Sequence, residues 1–423
     1  MSEQEVEARR RSLDVHVVGV DPPRPVERFG QATALDAGIL KALKKHGYDR
    51  PTPIQAQALP ALMSGRDVLG IAKTGSGKTA AFLLPALVHA VDQPELGKGD
   101  GPIVLALAPV RELAAQILAE ARKFAKPYSI RCAGVFGGAS KQEQFKDLRA
   151  GAEVVVATPG RLIDLCRMKG GANLRRVTYL VLDEADRMLD MGFEAQVRSI
   201  CDAVRPDRQA LLFSATMPER VRRLVTDVLG DDALTITVGR PGGANADVTQ
   251  AVEVVESGDV PRANWLTAKI ASFVDEGEVL VFVNRKQAAV DTEALLQAAG
   301  VKCGALHGDM DQSSRQAALT AFKQGRIHVL IATDVAARGL DVPTVRTVVS
   351  LYPPTSIESH VHRIGRTGRA GQKDGRAFTL VSPDTSGKFL ADLVRSLQEA
   401  CQPVGSALHR LARRGGKQGY GGG

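Results

Sequence analysis

Short, nearly unbroken apolar runs recur along the chain, separated by stretches whose apolar residues return every three or four positions. The runs at 67–72, 103–108, 154–157, 179–183 and 210–214 are built largely from Val, Leu, Ile and Ala, which predicts strands buried on both faces. Between them, 111–124 and 195–204 carry helical spacing. Such alternation predicts a mostly parallel sheet with helices on both faces. The rhythm breaks at Gly239, Pro241, Gly242 and Gly243, a run without apolar periodicity that reads as a linker. It resumes with candidate strands at 248–255, 278–283, 305–306, 328–332, 347–351 and 377–381.

The two ends have a different texture. Pro22, Pro23 and Pro25 close a polar opening segment, which predicts an extended arm over 1–26. At the far end Arg410, Arg413, Arg414 and Lys417 stand among glycines with no acid, which predicts a disordered basic tail over 409–423. The organisation expected is an arm, an α/β domain at 27–238, a linker at 239–247, a second α/β domain at 248–408, and the tail. The 423 residues suit two hydrophobic cores better than one.

Composition narrows the class. With 44% hydrophobic and 24% charged residues the chain is neither wholly disordered nor a fibre or coiled-coil rod. No apolar run is long enough to span a bilayer, and Glu3, Glu5 and Glu7 before Arg9, Arg10 and Arg11 leave no signal-peptide core. A soluble intracellular protein without a membrane partner is the expectation. Cys132, Cys166, Cys201, Cys303 and Cys401 are widely spaced, so idle thiols fit better than a disulfide framework or a Cys-rich zinc site. The net charge of +8 suits a polyanion partner, although a solvated basic surface explains it equally well.

Two motifs carry the chemistry. Ala72-Lys73-Thr74-Gly75-Ser76-Gly77-Lys78-Thr79 follows an apolar run and opens a helical stretch. Gly75 and Gly77 let backbone N–H groups approach a phosphate closely. Lys78 is then placed for the β- and γ-phosphates, and the Thr79 hydroxyl for Mg²⁺. A glycine turn without a ligand is the competing reading; the strand before it and the helix after it favour phosphate. Leu180-Val181-Leu182-Asp183-Glu184-Ala185-Asp186 ends another apolar run in carboxylates. Asp183 stands where a metal-binding acid belongs, and Glu184 where a water on the γ-phosphate can be polarised. An acidic first turn complementing a helix dipole is the plainer alternative, and the upstream phosphate loop weighs against it.

With both motifs in place, the chain resembles the DEAD-box ATP-dependent RNA helicases, in family order over 29–369. The resemblance implies two tandem RecA-like domains, each a mostly parallel sheet with helices on both faces. It also implies ATP and Mg²⁺ as cofactors and RNA as a partner bound largely through its backbone. Gly47-Tyr48-Asp49-Arg50-Pro51-Thr52-Pro53-Ile54-Gln55 is similar to the family's adenine-sensing segment, with Phe29 as its isolated upstream aromatic. A Gln amide can donate to and accept from the adenine edge, and an aromatic ring can pack on the base. Ser214-Ala215-Thr216 resembles the motif coupling hydrolysis to strand separation. Pro109-Val110-Arg111-Glu112-Leu113-Ala114, Gly137-Gly138 and Thr158-Pro159-Gly160-Arg161 resemble RNA-facing elements, implying contacts from Arg111, Gly138, Thr158 and Arg161. Val110 departs from the Thr usual at its position.

The second half continues the resemblance. Val281-Phe282-Val283-Asn284 is similar to the strand motif that begins the second RNA-binding face. His307-Gly308-Asp309 with Gln312 and Arg315 follows, then Thr333 to RNA and Asp341 to the ribose side of the nucleotide. His360-Val361-His362-Arg363-Ile364-Gly365-Arg366-Thr367-Gly368-Arg369 supplies Arg366 and Arg369 as implied arginine fingers, and His362 as a link between ATP and RNA. His360 stands where the family usually has Tyr.

The implied catalytic set is Lys78, Asp183, Glu184, Arg366 and Arg369, acting in a monomer that binds ATP in the cleft between its domains. Two other readings stand beside it: an ATP-gated RNA clamp in which hydrolysis only triggers release, and a DNA translocase, against which the Gln55 segment argues. Gly70-Ile71, the run from Arg187 through Phe193, the run from His307 through Gln312 and the Pro22-Pro23-Arg24-Pro25 arm resemble the nuclear subgroup associated with the spliceosome's branch-site-recognition particle. That subgroup implies a nuclear location and ribonucleoprotein partners.

Overall fold

The structure, a computed structural model, describes residues 1–73, 75–97, 99–239, 248–337, 345–368 and 374–418, the stretch 414–418 as backbone alone. The chain divides into two compact units, Met1–Pro241 and Gly242–Gly423. Of the linker expected at 239–247, only Gly239 lies among the described residues.

The first unit holds β1 (Val15–Val18), β2 (Val68–Ile71), β3 (Val104–Leu107), β4 (Cys132–Val135), β5 (Val154–Ala157), β6 (Tyr179–Leu182), β7 (Gln209–Ser214) and β8 (Leu234–Val238). They form one sheet in the order β1-β8-β2-β7-β6-β3-β5-β4. Every pairing is parallel except that of β1 with β8. Alternate residues of each strand enter different core layers. Val104 and Ala106 pack on one face of the sheet, Leu105 and Leu107 on the other. Apolar residues at every strand position are what a sheet covered on both faces requires.

Residues 1–26 are not an extended arm. Glu3–Ser12 is helical, opened by a reciprocal cap between Ser2 and Glu5. β1 then pairs antiparallel with β8, Val15 opposite Val238. Val6, Val15 and Val26 are buried, apolar anchors that dock an otherwise polar segment. A helix with one buried residue shows no apolar stripe, and a four-residue edge strand is too short to show alternation.

The second unit holds β9 (Val248–Val254), β10 (Glu278–Val283), β11 (Cys303–Leu306), β12 (Val329–Thr333), β13 (Val345–Ser350) and β14 (Gly375–Val381). Their order is β11-β12-β10-β13-β14-β9, parallel at every pairing. Two sheets of this kind match the tandem RecA-like expectation. The basic tail requires correction as well, because Ser406–Gln418 is helical. Leu408 is buried against Phe389, Leu390, Leu393 and Leu397 of the helix Gly387–Glu399. Apolar contact outweighs the poor helix propensity of Gly415 and Gly416; 419–423 lie outside the described residues.

Because β2, β7, β6, β3, β5 and β4 run parallel, their carboxyl ends share one edge of the first sheet. That edge is where open α/β sheets bind ligands.

Candidate active site

The loop after β2 leads into the helix Lys78–Val91. Gly75 and Gly77 hold φ of 79° and 92°, a left-handed backbone that favours glycine. Space also demands glycine at 77, since a Cβ there would stand 2.6 Å from Gln55 Nε2 and 2.9 Å from Thr52 Oγ1. Lys78 is buried, and its Nζ donates to the carbonyls of Ala72 at 2.7 Å and Lys73 at 3.2 Å. Ser76 Oγ is buried without a hydrogen-bond partner among the described residues. A buried ammonium folded over its own loop and an orphaned hydroxyl form a donor set that fits phosphate. Thr79 follows Lys78 in the helix, while Thr74 lies outside the described residues.

The acidic motif begins where β6 ends. Asp183 is buried and its Oδ1 accepts from the Glu184 N–H at 3.0 Å. Burial pushes the Asp183 carboxyl up to about 7; the Lys78 ammonium opposes that rise, and the Glu184 and Asp186 carboxylates add to it. Glu184 holds φ 52°, ψ 52° at the head of the helix Ala185–Asp190. A left-handed backbone at a glutamate is a strained way to start a helix.

The sequence reading omitted Asp186 from its site residues. Its Oδ2 accepts from Ala215 N at 3.2 Å, Thr216 N at 2.9 Å and Thr216 Oγ1 at 2.7 Å. One carboxylate oxygen thereby ties the acidic motif to Ser214-Ala215-Thr216, while Ser214 Oγ donates to the Thr216 carbonyl at 2.7 Å. Ser214 also accepts, through its carbonyl, the Ala72 N–H at 3.0 Å. Phosphate loop, carboxylates and small-residue motif are thus joined across β2, β7 and β6. An acid three residues past Asp183 was the only signal for Asp186, and it reads as a dipole complement.

Gln55 and Phe29 depart from the simplest expectation. Gln55 is buried in the helix Pro53–Met63, its Nε2 donating to the Gly77 carbonyl at 2.9 Å and its Oε1 accepting from Thr52 N at 3.0 Å. Both ends of the amide engage the protein's own backbone. Phe29 lies in the short turn Phe29–Gln31 and is buried in the core.

The expected RNA-facing residues occupy the other half of the same edge. Arg111 opens the helix Arg111–Ala125 after β3, with its Nε 2.8 Å from Glu112 Oε1. Gly138, with φ 89°, follows β4. Thr158 heads the helix Pro159–Cys166 after β5, and its N–H donates to the Val135 carbonyl at 2.9 Å. Arg161 donates to the Ala139 carbonyl at 3.2 Å and Gln144 Oε1 at 3.3 Å, fixing the loop that carries Gly138.

In the second unit Thr333 ends β12, and Gln312 and Arg315 lie in the helix Gln312–Lys323 after β11. Arg315 donates to the Ala336 carbonyl at 2.8 Å. His362 belongs to the helix Ile357–Ile364, with Arg366 buried just beyond it. Arg363, next to His362, forks onto Asp334 with two contacts of 2.7 Å, reaches the Tyr352 carbonyl at 2.7 Å and lies 5.0 Å from the centre of the Phe282 ring. It pins the helix to the segment following Thr333. Asp341 and Arg369 lie outside the described residues.

Thr79 and Asp183 offer oxygen donors of the kind Mg²⁺ takes when substrate phosphates complete its shell. Among the described residues no group of three His, Cys, Asp or Glu side chains could hold a metal ion by itself.

Comparison with known proteins adds to this geometry. The DEAD/DEAH box helicase family matches residues 52–224, and the helicase conserved C-terminal domain matches 263–371. A rice (Oryza sativa subsp. japonica) protein named DEAD-box ATP-dependent RNA helicase 24 is 52% identical over 417 residues, covering 99% of this chain and 54% of its own length. ATP-dependent RNA helicase DDX42 of Homo sapiens is 51% identical over 403 residues, 95% of this chain and 42% of its own. The chain therefore spans about half the length of the curated relatives it matches. The crystal structure of the yeast DEAD-box splicing factor Prp28 superposes with a TM-score of 0.56 at 30% identity, covering 98% of this chain and 96% of that one.

Proposed function

The chain belongs to the DEAD-box family of helicases, and from that premise we propose that it hydrolyses ATP in response to RNA and uses the cycle to open short duplexes or remodel ribonucleoproteins. The observation that carries this is the hydrogen-bonded assembly at the carboxyl ends of β2, β6 and β7, in which Ser214-Ala215-Thr216 bonds both Ala72 at the start of the phosphate loop and Asp186 of the acidic run that begins with Asp183-Glu184.

In this reading Lys78 and the loop N–H groups hold the ATP phosphates, and Glu184 orients the attacking water. Thr79 and Asp183 would hold Mg²⁺, which when bound neutralises phosphate charge. Arg366 and Arg369 supply guanidinium forks to the charge that develops in transfer. Asp186 passes a change at the carboxylates to Thr216, and His362 serves the same coupling in the second unit. Gln55 and Phe29 serve the adenine base, Gln55 also holding the Gly77 carbonyl, and Asp341 serves the ribose. Arg111, Gly138, Thr158, Arg161, Gln312, Arg315 and Thr333 contact RNA backbone without reading bases.

The nucleus and a splicing role, with ribonucleoprotein partners and a monomeric enzyme, complete the proposal; likeness to the yeast splicing factor Prp28 supports the pathway. No described helix is long and apolar enough to cross a membrane. The test is phosphate release with and without saturating single-stranded RNA. Stimulation that vanishes in Glu184→Gln is expected, and turnover indifferent to RNA would sink the proposal.

A further inference from the structure

The helix Pro53–Met63 carries two buried glutamines two positions apart, which a helix turns to opposite faces, roughly 200° around its axis. Gln55 faces the phosphate loop and donates to the Gly77 carbonyl. Gln57 faces the N-terminal segment: its Oε1 accepts from Arg10 Nε at 3.0 Å and its Nε2 donates to the Pro23 carbonyl at 2.7 Å. The Arg10 guanidinium also reaches the carbonyls of Pro22 at 3.3 Å and Pro23 at 3.2 Å. Beside it, the Val26 N–H donates to the Ala56 carbonyl of the same helix at 2.8 Å. The helix bearing Arg10 is itself moored by β1, and Asp14 accepts the Gly239 N–H at 2.9 Å.

Nothing in the packing alone requires polar atoms there. Position 57 is fully buried, so its amide must find its partners within the protein. Directional bonds add to the close packing of this helix in setting its rotation and axial position, since a satisfied polar network rigidifies the core it joins. We propose that Arg10 is a positioning residue for the nucleotide site: through Gln57 it holds the helix Pro53–Met63 where Gln55 can fix the Gly77 carbonyl of the phosphate loop. The inference rests on the reading of that loop as an ATP site.

The experiment titrates fluorescent ADP into the full chain and follows ATPase kinetics for Arg10→Ala, Arg10→Met, Arg10→Lys, Gln57→Met and the Arg10→Ala/Gln57→Met pair. Arg10→Ala weakens nucleotide binding by roughly threefold to tenfold, the scale of one buried hydrogen bond. The KM for ATP rises with it while kcat at saturating ATP holds. Arg10→Lys, which keeps a donor for Gln57, recovers most of the affinity. The double variant loses less than the product of the single losses. Arg66→Ala is the control: it releases the Val20 carbonyl elsewhere in the same segment and leaves affinity unchanged even where it lowers the melting temperature.

Unaltered affinity in Arg10→Ala, losses that multiply, or an equal loss in Arg66→Ala would overturn the inference. Failure of both Arg10→Ala and Arg10→Met to fold would also overturn it, since the contact would then serve global stability. Wild-type protein with no nucleotide affinity would remove the ATP-site reading itself along with the inference.

Discussion

Glu184 sits on a left-handed backbone at the head of its helix, a conformation that costs on the order of 1–3 kcal/mol for a residue with a side chain. β6 before it, the helix after it and the Asp183 contact hold it there, which suits a carboxylate that must be aimed. Glu184→Gln is expected to keep nucleotide affinity and lose turnover, whereas Lys78→Ala loses affinity; nucleotide titration beside phosphate release separates the two. Asp186 accepts three hydrogen bonds on one oxygen. Asp186→Ala leaves buried donors unpaired, so it should cost about 1–3 kcal/mol per donor stranded, read from denaturant midpoints. His360 offers a pH test. It is buried, its Nε2 lies 3.2 Å from Gln250 Oε1, and burial together with the neighbouring Arg363 pushes it down to about 3. The unfolded chain takes up that proton near pH 6.5 and the folded chain only near 3, so the native state loses stability progressively as pH falls between those values. His360→Tyr, the residue usual in the family, should flatten the pH dependence of the melting temperature across that window.

At the scale of elements, the two ends of the chain are structural parts of the units they join. The helix Ser406–Gln418 closes a small core with the helix Gly387–Glu399. Leu408→Ala should therefore cost about 2–5 kcal/mol, the range for emptying a buried leucine site, seen as a lower melting temperature. A truncation before residue 406 should destabilise the protein through exposure of Phe389, Leu390 and Leu393, beyond any change in electrostatic attraction for RNA. Helix Ile357–Ile364 shows how one ion pair can set an element's place. The Arg363–Asp334 fork fixes it to the end of β12, so Arg363→Ala removes the guanidinium that a half-buried Asp334 carboxylate is paired with.

At the scale of the whole molecule, strand order sorts the chemistry. In the first sheet the proposed nucleotide residues follow β2 and β6 and the proposed coupling residues end β7 between them, while the proposed RNA residues follow β3, β5 and β4, the next three strands along. A parallel sheet brings all six ends to one edge, so two ligands can lie side by side on a rigid scaffold. Arg161→Ala should then weaken RNA binding with nucleotide affinity unchanged, and RNA affinity should fall steeply with salt because backbone contacts dominate. Arg366→Ala should lower turnover on the order of 10³-fold with a much smaller loss in affinity.

The apolar runs by themselves determined the two parallel sheets, because strands buried on both faces must be apolar throughout and little else in a sequence looks that way. The phosphate loop and the acidic run were legible for a related reason: Gly75, Gly77 and Lys78 are close neighbours in sequence, as are Asp183 and Glu184, and each group follows directly on an apolar strand. Strands β1, β4 and β8 were not legible. Unlike the fully buried strands, each mixes buried with half-buried or exposed positions, and polar His16, Thr235 and Thr237 or Gly134 interrupt the apolar run. Asp186 reaching Thr216, Gln55 turned onto Gly77, Arg10 on Gln57 and Leu408 in a core were decided only by tertiary structure. Each joins residues far apart in the chain or buries a polar group that propensity places in water. Such groups settle where the fold supplies a partner, and no local pattern records where that partner stands.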